Sequence, residues 1–408
     1  MRAGSLHIAA LPFPTAQGTQ AALRAMLDAL LEEGQEARLL CYGGGVNEGA
    51  RAADLQSDAP ALPLWRIADF PRLPHFRSGP SWRKLLLDLR LALALRSGGR
   101  ERTVFAHHVE AALAAWMAGV PDFVFVAHTD LEEELESYFP AQLAPLMRHA
   151  GHALDTFVCS LSPKLAAVSP WLCRRWSECT GRPVHYLPIP WSLPPDAASA
   201  EREKVAPTRR AGEPSWTLLY VGNLDAYQGV DLLLPIVAEL RREGHDVHLH
   251  IATASEGTRL LHEAEAAGLR PFLRVSKLDG SESQRARLYA EADLVLVPRR
   301  SWGGLPVKLL DALARGKAVV ASPAACAGLP LGGEILSLAE THSPQGLARA
   351  VIELLEHPDR RREMALSGPA YIHTHHSPER FVAALQKAAA QPASIASRAR
   401  TRRGREQR

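Results

Sequence analysis

The sequence has few cysteines, little net charge and no long apolar run. The five cysteines include no Cys-x-x-Cys spacing, which argues against a disulfide framework or a zinc site and fits a reducing compartment. A net charge of +3 is too small to indicate nucleic-acid binding. No uncharged apolar run is long enough to span a bilayer, and residues 1–12 lack the apolar core and cleavage site of a signal peptide. We therefore expect a cytoplasmic protein without a nucleic-acid partner.

The length and the apolar pattern predict two α/β domains. At 408 residues the chain exceeds what one hydrophobic core usually holds. Short apolar strands alternate with amphipathic helices in both halves, which is typical of parallel, doubly wound sheets. The predicted strands are 6–11, 37–42, 105–108, 123–128, 218–221, 247–252, 292–297 and 318–321, and the predicted helices are 19–34, 111–117, 229–243, 257–268 and 345–356.

A proline-rich stretch at residues 188–215 separates the two halves and has the composition of a linker. Ligands of doubly wound folds bind at the carboxyl ends of the strands, so we expect two Rossmann-like domains whose sheets face a central cleft. The predicted boundaries are 1–190 for the N-terminal domain, 191–215 for the linker, 216–372 for the C-terminal domain, 373–390 for a helix that crosses back, and 391–408 for a basic, disordered tail.

Residues 298–321 are the segment most informative about function. A predicted strand ends at Pro298, a Gly-Gly turn follows, and a helix then leads into another strand. This unit directs backbone N–H groups and a positive helix N-terminus at an anion such as a diphosphate. The alternative is ordinary packing, with the glycines serving a tight turn and the charges lying at the surface. The candidate ligand residues are Arg299, Gly304, Leu305, Lys308 and Asp311.

Five segments resemble, in the same order, the GT-B retaining glycosyltransferases, specifically glycosyltransferase family 4. They are residues 12–20, 105–111, 126–130, 220–231 and 298–321. The resemblance extends to about residue 390. It implies transfer of a sugar from a UDP- or GDP-sugar to a glycan, lipid-linked or small-molecule acceptor with retention of configuration, as in polysaccharide biosynthesis. It also implies no cofactor and no metal, and the chain has no Asp-x-Asp pair of the kind that holds magnesium in the other major transferase fold.

The resemblance assigns several residues to the donor side. Gly18 lies in the glycine loop that approaches the donor phosphate, and Gly222 opens the corresponding loop of the C-terminal half. The family usually places an Arg and a Lys in that second loop, where they neutralise the diphosphate. Here the matching positions are Asn223 and Gln228. Lys277, at a predicted strand end, is a further and weaker candidate for the missing charge.

The family signature has two glutamates eight residues apart, and the chain departs from it. The second falls on Asp311, which we expect to accept hydrogen bonds from ribose hydroxyls, and the first falls near Gly303, where no carboxylate is present. Because the usual cations of the loop are replaced by neutral residues, Arg299 and Lys308 become the main cations available to the donor diphosphate.

Histidines follow the strands of the N-terminal half. The resemblance implies that His128 contacts the reacting sugar, whereas the alternative is a structural hydrogen bond at a strand end. His108 and Glu110 end a neighbouring strand and either orient the acceptor or form a structural pair. A cluster near the C-terminal crossing resembles metal-ligand spacing but is interpreted as structural: His373, His375 and His376.

Residues 65–102 are basic and aromatic, and 82–95 form a leucine-rich helix with Arg and Lys at its edges. Such a helix either rests on an anionic membrane near a lipid-linked acceptor or packs on the sheet with its charges in solvent. The packing interpretation accounts better for the leucines, and the basic residues favour peripheral contact with the inner face of a membrane.

Three functions are consistent with these features. The leading hypothesis is a retaining glycosyltransferase. The second is a catalytically weak GT-B protein that acts as a nucleotide-binding or scaffolding subunit, motivated by Asn223, Gln228 and the missing glutamate. A GT-B epimerase or phosphorylase ranks below both, because the sequence shows no epimerase pattern and no lysine context for pyridoxal phosphate.

Overall fold

The computed structural model describes residues 4–13, 18–43, 63–68, 81–98, 103–193 and 215–392. The chain divides into an N-terminal unit, comprising 1–15, 20–190 and 378–408, and a C-terminal unit, comprising 16–19 and 191–377. The chain thus returns to the N-terminal unit at Pro378, later than the predicted residue 373, because the preceding helix continues to His375. The predicted tail from 391 onward lies, after its first two residues, outside the described residues.

The N-terminal unit contains one sheet of seven parallel strands in the order β3-β2-β1-β4-β5-β6-β7. The strands are β1 Ser5–Pro12, β2 Ala37–Tyr42, β3 Leu64–Ile67, β4 Thr103–His107, β5 Phe123–Ala127, β6 Lys164–Ala167 and β7 His185–Tyr186. The helices of this unit are α1 Gly18–Glu32, α2 Trp82–Gly98, α3 His108–Met117, α4 Leu131–Leu135, α5 Ala144–Leu161 and α6 Pro170–Thr180, together with a final helix that follows the C-terminal unit in sequence.

The C-terminal unit contains a second parallel sheet, of six strands in the order β10-β9-β8-β11-β12-β13. The strands are β8 Trp216–Val221, β9 Val247–Thr253, β10 Leu273–Lys277, β11 Leu294–Val297, β12 Ala318–Ala321 and β13 Ser337–Leu338. The helices are α7 Leu233–Arg242, α8 Thr258–Ala266, α9 Glu282–Glu291, α10 Val307–Ala314, α11 Pro344–Glu356 and α12 Pro358–His375, and α13 Pro378–Ala390 then returns to the N-terminal unit.

The apolar strands explain both sheets, because a parallel strand covered by helices on both faces must be apolar on both faces. Every residue of β5, β11 and β12 is buried. Helix boundaries follow local signals: the Ser169 hydroxyl accepts a hydrogen bond from the N–H of Leu172 at the start of α6, and Gly181 ends that helix in the left-handed region. The prediction of two Rossmann-like α/β domains is confirmed.

Some predicted boundaries differ from the structure. The helix expected at 229–243 begins at Leu233, because residues 226–228 and 230–232 form short 3-10 turns around Gly229. The helix expected at 111–117 begins at His108, directly after β4. Both sheets reverse their strand order at the first strand, between β1 and β4 and between β8 and β11. Ligands of doubly wound sheets bind outside the carboxyl ends of the strands at such a reversal.

Candidate functional site

The carboxyl ends of β8 and β11 bring two predicted segments together. Gly222 directly follows β8 and Pro298 directly follows β11, and these strands are neighbours. Gly229, with φ of +71°, packs so tightly that a Cβ added to it would lie 1.9 Å from the carbonyl oxygen of Pro298. The N–H of Arg300 donates to the carbonyl of Tyr227 at 2.9 Å. Glycine at position 229 therefore permits the loop after β8 to lie against the loop after β11.

Lys308 lies on the first turn of α10, and its side chain is directed at the end of β8. Its Nζ lies 3.9 Å from the centre of the Tyr220 ring, and a Cβ added to Gly222 would meet that Nζ at 2.8 Å. The ammonium is buried without a hydrogen-bond partner among the described residues. A buried ammonium without a partner is costly, so this position is suited to an anion that completes the site.

Arg299 is buried beside Lys308 and shapes the loop between β11 and α10. Its guanidinium donates to the carbonyl oxygens of Ser301 and Gly303. Burial, and then the charge of Arg299, lower the pKa of Lys308 well below its usual range. Two neighbouring cationic side chains repel each other, and a bound anion would relieve that repulsion.

The N-terminus of α10 has no side-chain cap. Gly304 turns the chain with φ of +93°, Leu305 is buried, and Pro306 occupies the N-cap position without a side-chain hydrogen bond. The first N–H groups of a helix have no partners within the helix and form a positive end. The helix begins at Val307, later than the Gly-Gly turn, and anion binding around Gly304 and Leu305 stays a prediction.

Asp311 is buried on α10 and takes part in an ion-pair network. Its Oδ1 accepts a hydrogen bond from Nε of Arg315 at 3.1 Å, and Arg315 also pairs with Glu282 of α9. Arg315 is buried, so its charge requires these carboxylates. This pairing connects α9 to α10, and the role of Asp311 toward ribose hydroxyls stays a prediction.

The neutral residues predicted in the loop after β8 follow Gly222, the glycine that lies next to Nζ of Lys308. Asn223 donates to Asp225 and to the hydroxyl of Tyr227, while its Oδ1 is buried without a partner among the described residues. Gln228 is buried, and its Oε1 likewise lacks a partner there. These amides carry acceptors that a ligand hydroxyl or N–H can satisfy, but they bring no charge to the site.

Lys277 is not brought to this cluster. It is the exposed last residue of β10, and β10 is the edge strand, separated from β8 by β9. Gly18 is the exposed first residue of α1 in the structure, and the loop residues before it, 14–17, lie outside the described residues. The predicted glycine-loop contact with the donor therefore stays a prediction.

In the N-terminal unit, the carboxyl ends of β4 and β5 carry stacked histidines. His107 ends β4 and His128 follows β5, and Nδ1 of His107 lies 2.8 Å from Nε2 of His128 in a hydrogen bond. Both rings are buried. Burial, and then the neighbouring histidines, lower the pKa of both well below the usual range. His128 is thus held as a neutral imidazole, which can accept or donate a hydrogen bond.

His108 stacks on His128, with ring centroids 4.6 Å apart. It has φ of +72°, an unfavourable conformation for a residue with a side chain. Its Nε2 is buried without a partner among the described residues. Glu110 lies on the first turn of α3 and acts on His108 through its charge, and no hydrogen bond joins the two within the described ranges. The structural-pair alternative loses support, and the acceptor role stays a prediction.

Three titratable groups of the N-terminal unit, Tyr42, Asp88 and His107, were missed by sequence reasoning. Tyr42, the last residue of β2, donates a hydrogen bond to the buried carboxyl of Asp88 on α2. Burial, with a smaller contribution from the charge of Glu110, raises the pKa of Asp88 to about 7, although the hydrogen bond from Tyr42 acts in the opposite direction. Asp88 lies on a leucine-rich helix, where one acid every few residues is ordinary, so the sequence gives no signal. His107 could have been found from its position at a strand end beside His108.

The predicted histidine cluster at the crossing is built into the fold. His373 and His375 lie in the last turn of α12, the ring of His375 packs on Tyr371, and His376 is buried. The backbone N–H of Trp191 donates to the carbonyl of His376 at 2.8 Å. Within the described ranges, no group of three or more His, Cys, Asp or Glu residues is arranged to hold a metal ion.

Comparison with known proteins agrees with this architecture. Residues 215–357 match the family model for glycosyl transferases group 1. D-inositol 3-phosphate glycosyltransferase of Segniliparus rotundus is 30% identical over 160 residues, which span 37% of this chain and 35% of that protein. The match thus covers little more than a third of that relative's length.

Two solved structures resemble this chain over most of its length. Sucrose-phosphate synthase from Thermosynechococcus elongatus has a TM-score of 0.73 at 16% identity, covering 95% of this chain and 97% of that one. Anabaena HepE in complex with UDP-glucose has a TM-score of 0.69 at 15% identity, covering 95% and 100%. At such identities the likeness shows the fold. The predicted resemblance to GT-B glycosyltransferases is confirmed: the chain has their fold, and its C-terminal unit carries the match to glycosyl transferases group 1.

Proposed function

We propose that this protein is a glycosyltransferase that uses a UDP- or GDP-sugar and transfers the sugar, with retention of configuration, to a glycan, lipid-linked or small-molecule acceptor. The observation that carries the proposal is Lys308. Its buried ammonium, without a partner among the described residues, stands at the carboxyl end of β8 beside the uncapped N-terminus of α10. A diphosphate supplies the missing negative charge at that position.

The chemistry needs charge stabilisation more than an acid or a base. The bond between the anomeric carbon and the diphosphate oxygen breaks, a bond to the acceptor oxygen forms on the same face, and the acceptor proton passes to the leaving phosphate. Negative charge therefore grows on the diphosphate, where Lys308 and the first N–H groups of α10 would stabilise it. His128 would contact the sugar, as the resemblance implies. The proposed reaction uses no cofactor and no metal, and chelation of divalent cations should leave its rate unchanged.

The names of several neighbours support the choice of donor. HepE has been solved in complex with UDP and with UDP-glucose, and the relative from Segniliparus rotundus is named as a glycosyltransferase. The direct test incubates the protein with a panel of UDP- and GDP-sugars and measures release of the nucleoside diphosphate. Absence of binding by every nucleoside diphosphate in ligand-observed NMR would contradict the proposal.

A second function is favoured by the composition of the loop after β8. Asn223 and Gln228 bring no charge to the diphosphate, and the signature has one carboxylate, Asp311, instead of two. A nucleotide-binding subunit without turnover fits these replacements. Binding of UDP or GDP without hydrolysis or transfer, together with co-purification of an active transferase, would distinguish it from the enzyme.

We further propose that α2 contacts an anionic membrane surface. No described helix is long and apolar enough to cross a bilayer, so the contact would be peripheral, and a cytoplasmic location stays a prediction. One face of α2 packs on the sheet through Leu87, Leu91 and Leu95. The opposite face exposes Leu85, Leu89 and Leu93, and Trp82 at the helix start is 84% exposed. Of the basic residues of α2, Arg96 is exposed, whereas Arg83, Lys84 and Arg90 are half-buried. An exposed apolar stripe on a helix that also carries basic residues suits the headgroup region of an anionic bilayer.

A further inference from the structure

A row of hydrogen-bonded imidazoles crosses the sheet of the N-terminal unit. Oγ of Ser5 lies 3.2 Å from Nε2 of His7, and Nδ1 of His7 lies 3.0 Å from Nε2 of His107. Nδ1 of His107 in turn lies 2.8 Å from Nε2 of His128. Nδ1 of His128 is the one ring nitrogen of this row without a hydrogen-bond partner among the described residues. The row therefore ends in a free position on the residue that we expect to contact the sugar.

Strand register explains why these rings meet. His7 of β1 pairs with Phe105 of β4, so His107 lies two residues further toward the carboxyl end and on the same face. His107 pairs with Val126 of β5, so His128 again lies two residues further. The row runs diagonally from the interior of the sheet to its carboxyl edge, and each ring reaches the next because neighbouring strands are about 5 Å apart.

All three rings are held neutral. Burial lowers the pKa of His7 to about 3, and the pKa values of His107 and His128 are also well below the usual range. A neutral imidazole has one N–H donor and one acceptor nitrogen. Each hydrogen bond of the row needs one N–H donor and one acceptor nitrogen, so the tautomer of one ring fixes the tautomers of the other two. The row therefore has only two possible directions of donation, either toward Ser5 or toward His128.

Ser5 selects between the two directions. Its hydroxyl also contacts the carbonyl oxygen of Glu36 at 3.4 Å, and a carbonyl can only accept. The serine proton therefore goes to Glu36, and Oγ accepts from Nε2–H of His7. Nδ1 of His7 then accepts from Nε2–H of His107, and Nδ1 of His107 accepts from Nε2–H of His128. The free Nδ1 of His128 is left with a lone pair.

We propose that His7 and His107 are positioning residues that fix His128 as its Nε2–H tautomer, so that its Nδ1 accepts a hydrogen bond from a hydroxyl of the bound ligand. The role of that hydroxyl rests on the proposed function, since a sugar is its source there. The tautomer itself is a property of the free protein and is tested without any ligand.

Other charged groups bear on this row mainly through His108. His108 contributes to the lowered pKa of both His107 and His128. His108 itself faces Glu110 and Glu134, which raise its pKa, and Lys84, which lowers it. These groups affect the pKa of His108, which stacks on His128, and none of them shifts the pKa of His128 itself, so the tautomer of His128 should persist across neutral pH.

The test is NMR of the full chain labelled with 15N-histidine. Long-range proton–nitrogen spectra distinguish the two neutral tautomers from imidazolium, and the His128 signals are assigned by their loss in His128→Gln. We expect the Nε2–H tautomer for His128 from pH 5.5 to 8.5. An Nδ1–H tautomer, or an imidazolium at neutral pH, would overturn the proposal.

Three variants test whether the row sets the tautomer of His128. Ser5→Ala, at the edge of the row, removes the group that selects the direction, so His128 should show a mixture of both tautomers. His107→Asn retains an amide oxygen near the position of Nδ1 and should keep His128 as Nε2–H, whereas His107→Phe should not. His152→Asn, at an exposed histidine on α5, is the matched control and should change nothing. A His128 tautomer unchanged in both Ser5→Ala and His107→Phe would show that the row does not set it.

Activity supplies a second readout once a donor is found. These variants alter the hydrogen-bond acceptor on His128 and leave the diphosphate site unchanged. We therefore expect His107→Phe to lower kcat about tenfold with little change in UDP affinity. His107→Asn should retain most of the wild-type kcat. If no nucleotide sugar binds, the proposed function fails while the NMR result still stands or falls independently.

Discussion

Nζ of Lys308 lies over the ring of Tyr220, 3.9 Å from its centre, with no hydrogen-bond partner among the described residues. The ring face offers weak electrostatic attraction to a cation, which does not replace a hydrogen-bonded anion. Since Arg299 adds a second cation nearby, the free protein holds this ammonium at a cost.

Replacing Lys308 with Met should weaken nucleoside diphosphate binding by about 1.5–3 kcal/mol, the value of a hydrogen bond to a charged group. The free protein should be no less stable, because Met fills a similar volume without an unpaired polar group. Isothermal titration calorimetry with UDP and GDP and thermal unfolding check both parts. Lys277→Met, at the exposed edge strand of the same unit, is the matched control, and equal losses in the two variants would contradict the assignment.

Nucleoside diphosphate binding should be accompanied by proton uptake. The pKa of Lys308 is lowered well below its usual range in the free protein by burial and by Arg299, which favours the neutral amine. A bound diphosphate favours the charged ammonium and raises that pKa, so protons are taken up as the complex forms. Binding enthalpies measured at pH 7.5 in buffers of different ionisation enthalpy should therefore differ, and the difference should shrink in Lys308→Met. The same slope in both proteins would exclude Lys308 as the group that takes up the proton.

Gly229→Ala should destabilise the C-terminal unit more than Gly268→Ala does. Both glycines have left-handed backbones, with φ of +71° and +68°, but an added Cβ would meet the Pro298 carbonyl at 1.9 Å in the first and nothing within 4 Å in the second. Each variant loses about 1 kcal/mol from its backbone conformation, and the clash adds about 1–3 kcal/mol. Denaturant unfolding measures the difference, and UDP affinity should fall only in Gly229→Ala because the loop after β8 moves. Equal stability of the two variants would count against the tight packing of this loop.

Asp155→Asn should reduce the amount by which the free energy of unfolding falls as pH rises. Burial, and then Asp130, raise the pKa of Asp155 to about 9, whereas an unfolded aspartate ionises near pH 4. The folded state therefore retains a proton that the unfolded state releases, and stability falls as pH rises between these values. Relative to the wild type, Asp155→Asn should gain up to about 1.4 kcal/mol per pH unit. Thermal unfolding at pH 5 and pH 8 checks this.

Asp155→Ala provides the comparison for that experiment. Oδ2 of Asp155 accepts hydrogen bonds from the N–H groups of Leu131 at 2.9 Å and Glu132 at 3.3 Å, and Asn retains an acceptor while Ala does not. The Ala variant should share the flattened pH dependence but melt at a lower temperature throughout. If Asp155→Asn kept the wild-type pH slope, another group would be responsible for it.

If α2 contacts an anionic membrane, removing its exposed leucines should abolish binding to anionic vesicles. The triple variant Leu85→Gln, Leu89→Gln and Leu93→Gln removes the exposed stripe without touching the packed face of the helix. The unmodified protein should sediment with vesicles that contain phosphatidylglycerol, and the variant should remain in the supernatant. Leu366→Gln, at an exposed leucine of α12, is the control. Recovery of the unmodified protein in the supernatant with and without anionic lipid would exclude the contact.

Local patterns predicted the fold well because they are physical properties of short segments. A strand covered on both faces must be continuously apolar, as β11 and β12 are, and its neighbours are then helices with one apolar face. The strand, turn and helix of residues 298–321 were predicted for the same reason, because the turn at Gly304 and the start of α10 follow each other directly. The predicted start of the helix at residue 229 was wrong because turns around Gly229 replace its first residues. Gly229 packs against the carbonyl of Pro298, a contact that the local sequence does not show.

The sequence by itself determined that this protein has two parallel α/β units and that Arg299 and Lys308 follow a strand in the second, because apolar periodicity and turn residues act over a few positions. Only the tertiary structure decided that Arg299 supports its own loop while Lys308 is left without a hydrogen-bond partner among the described residues. It also decided that His7, His107 and His128 form one row, since strand register joins side chains far apart along the chain. Register is fixed by the packing of whole sheets, and no local pattern encodes it.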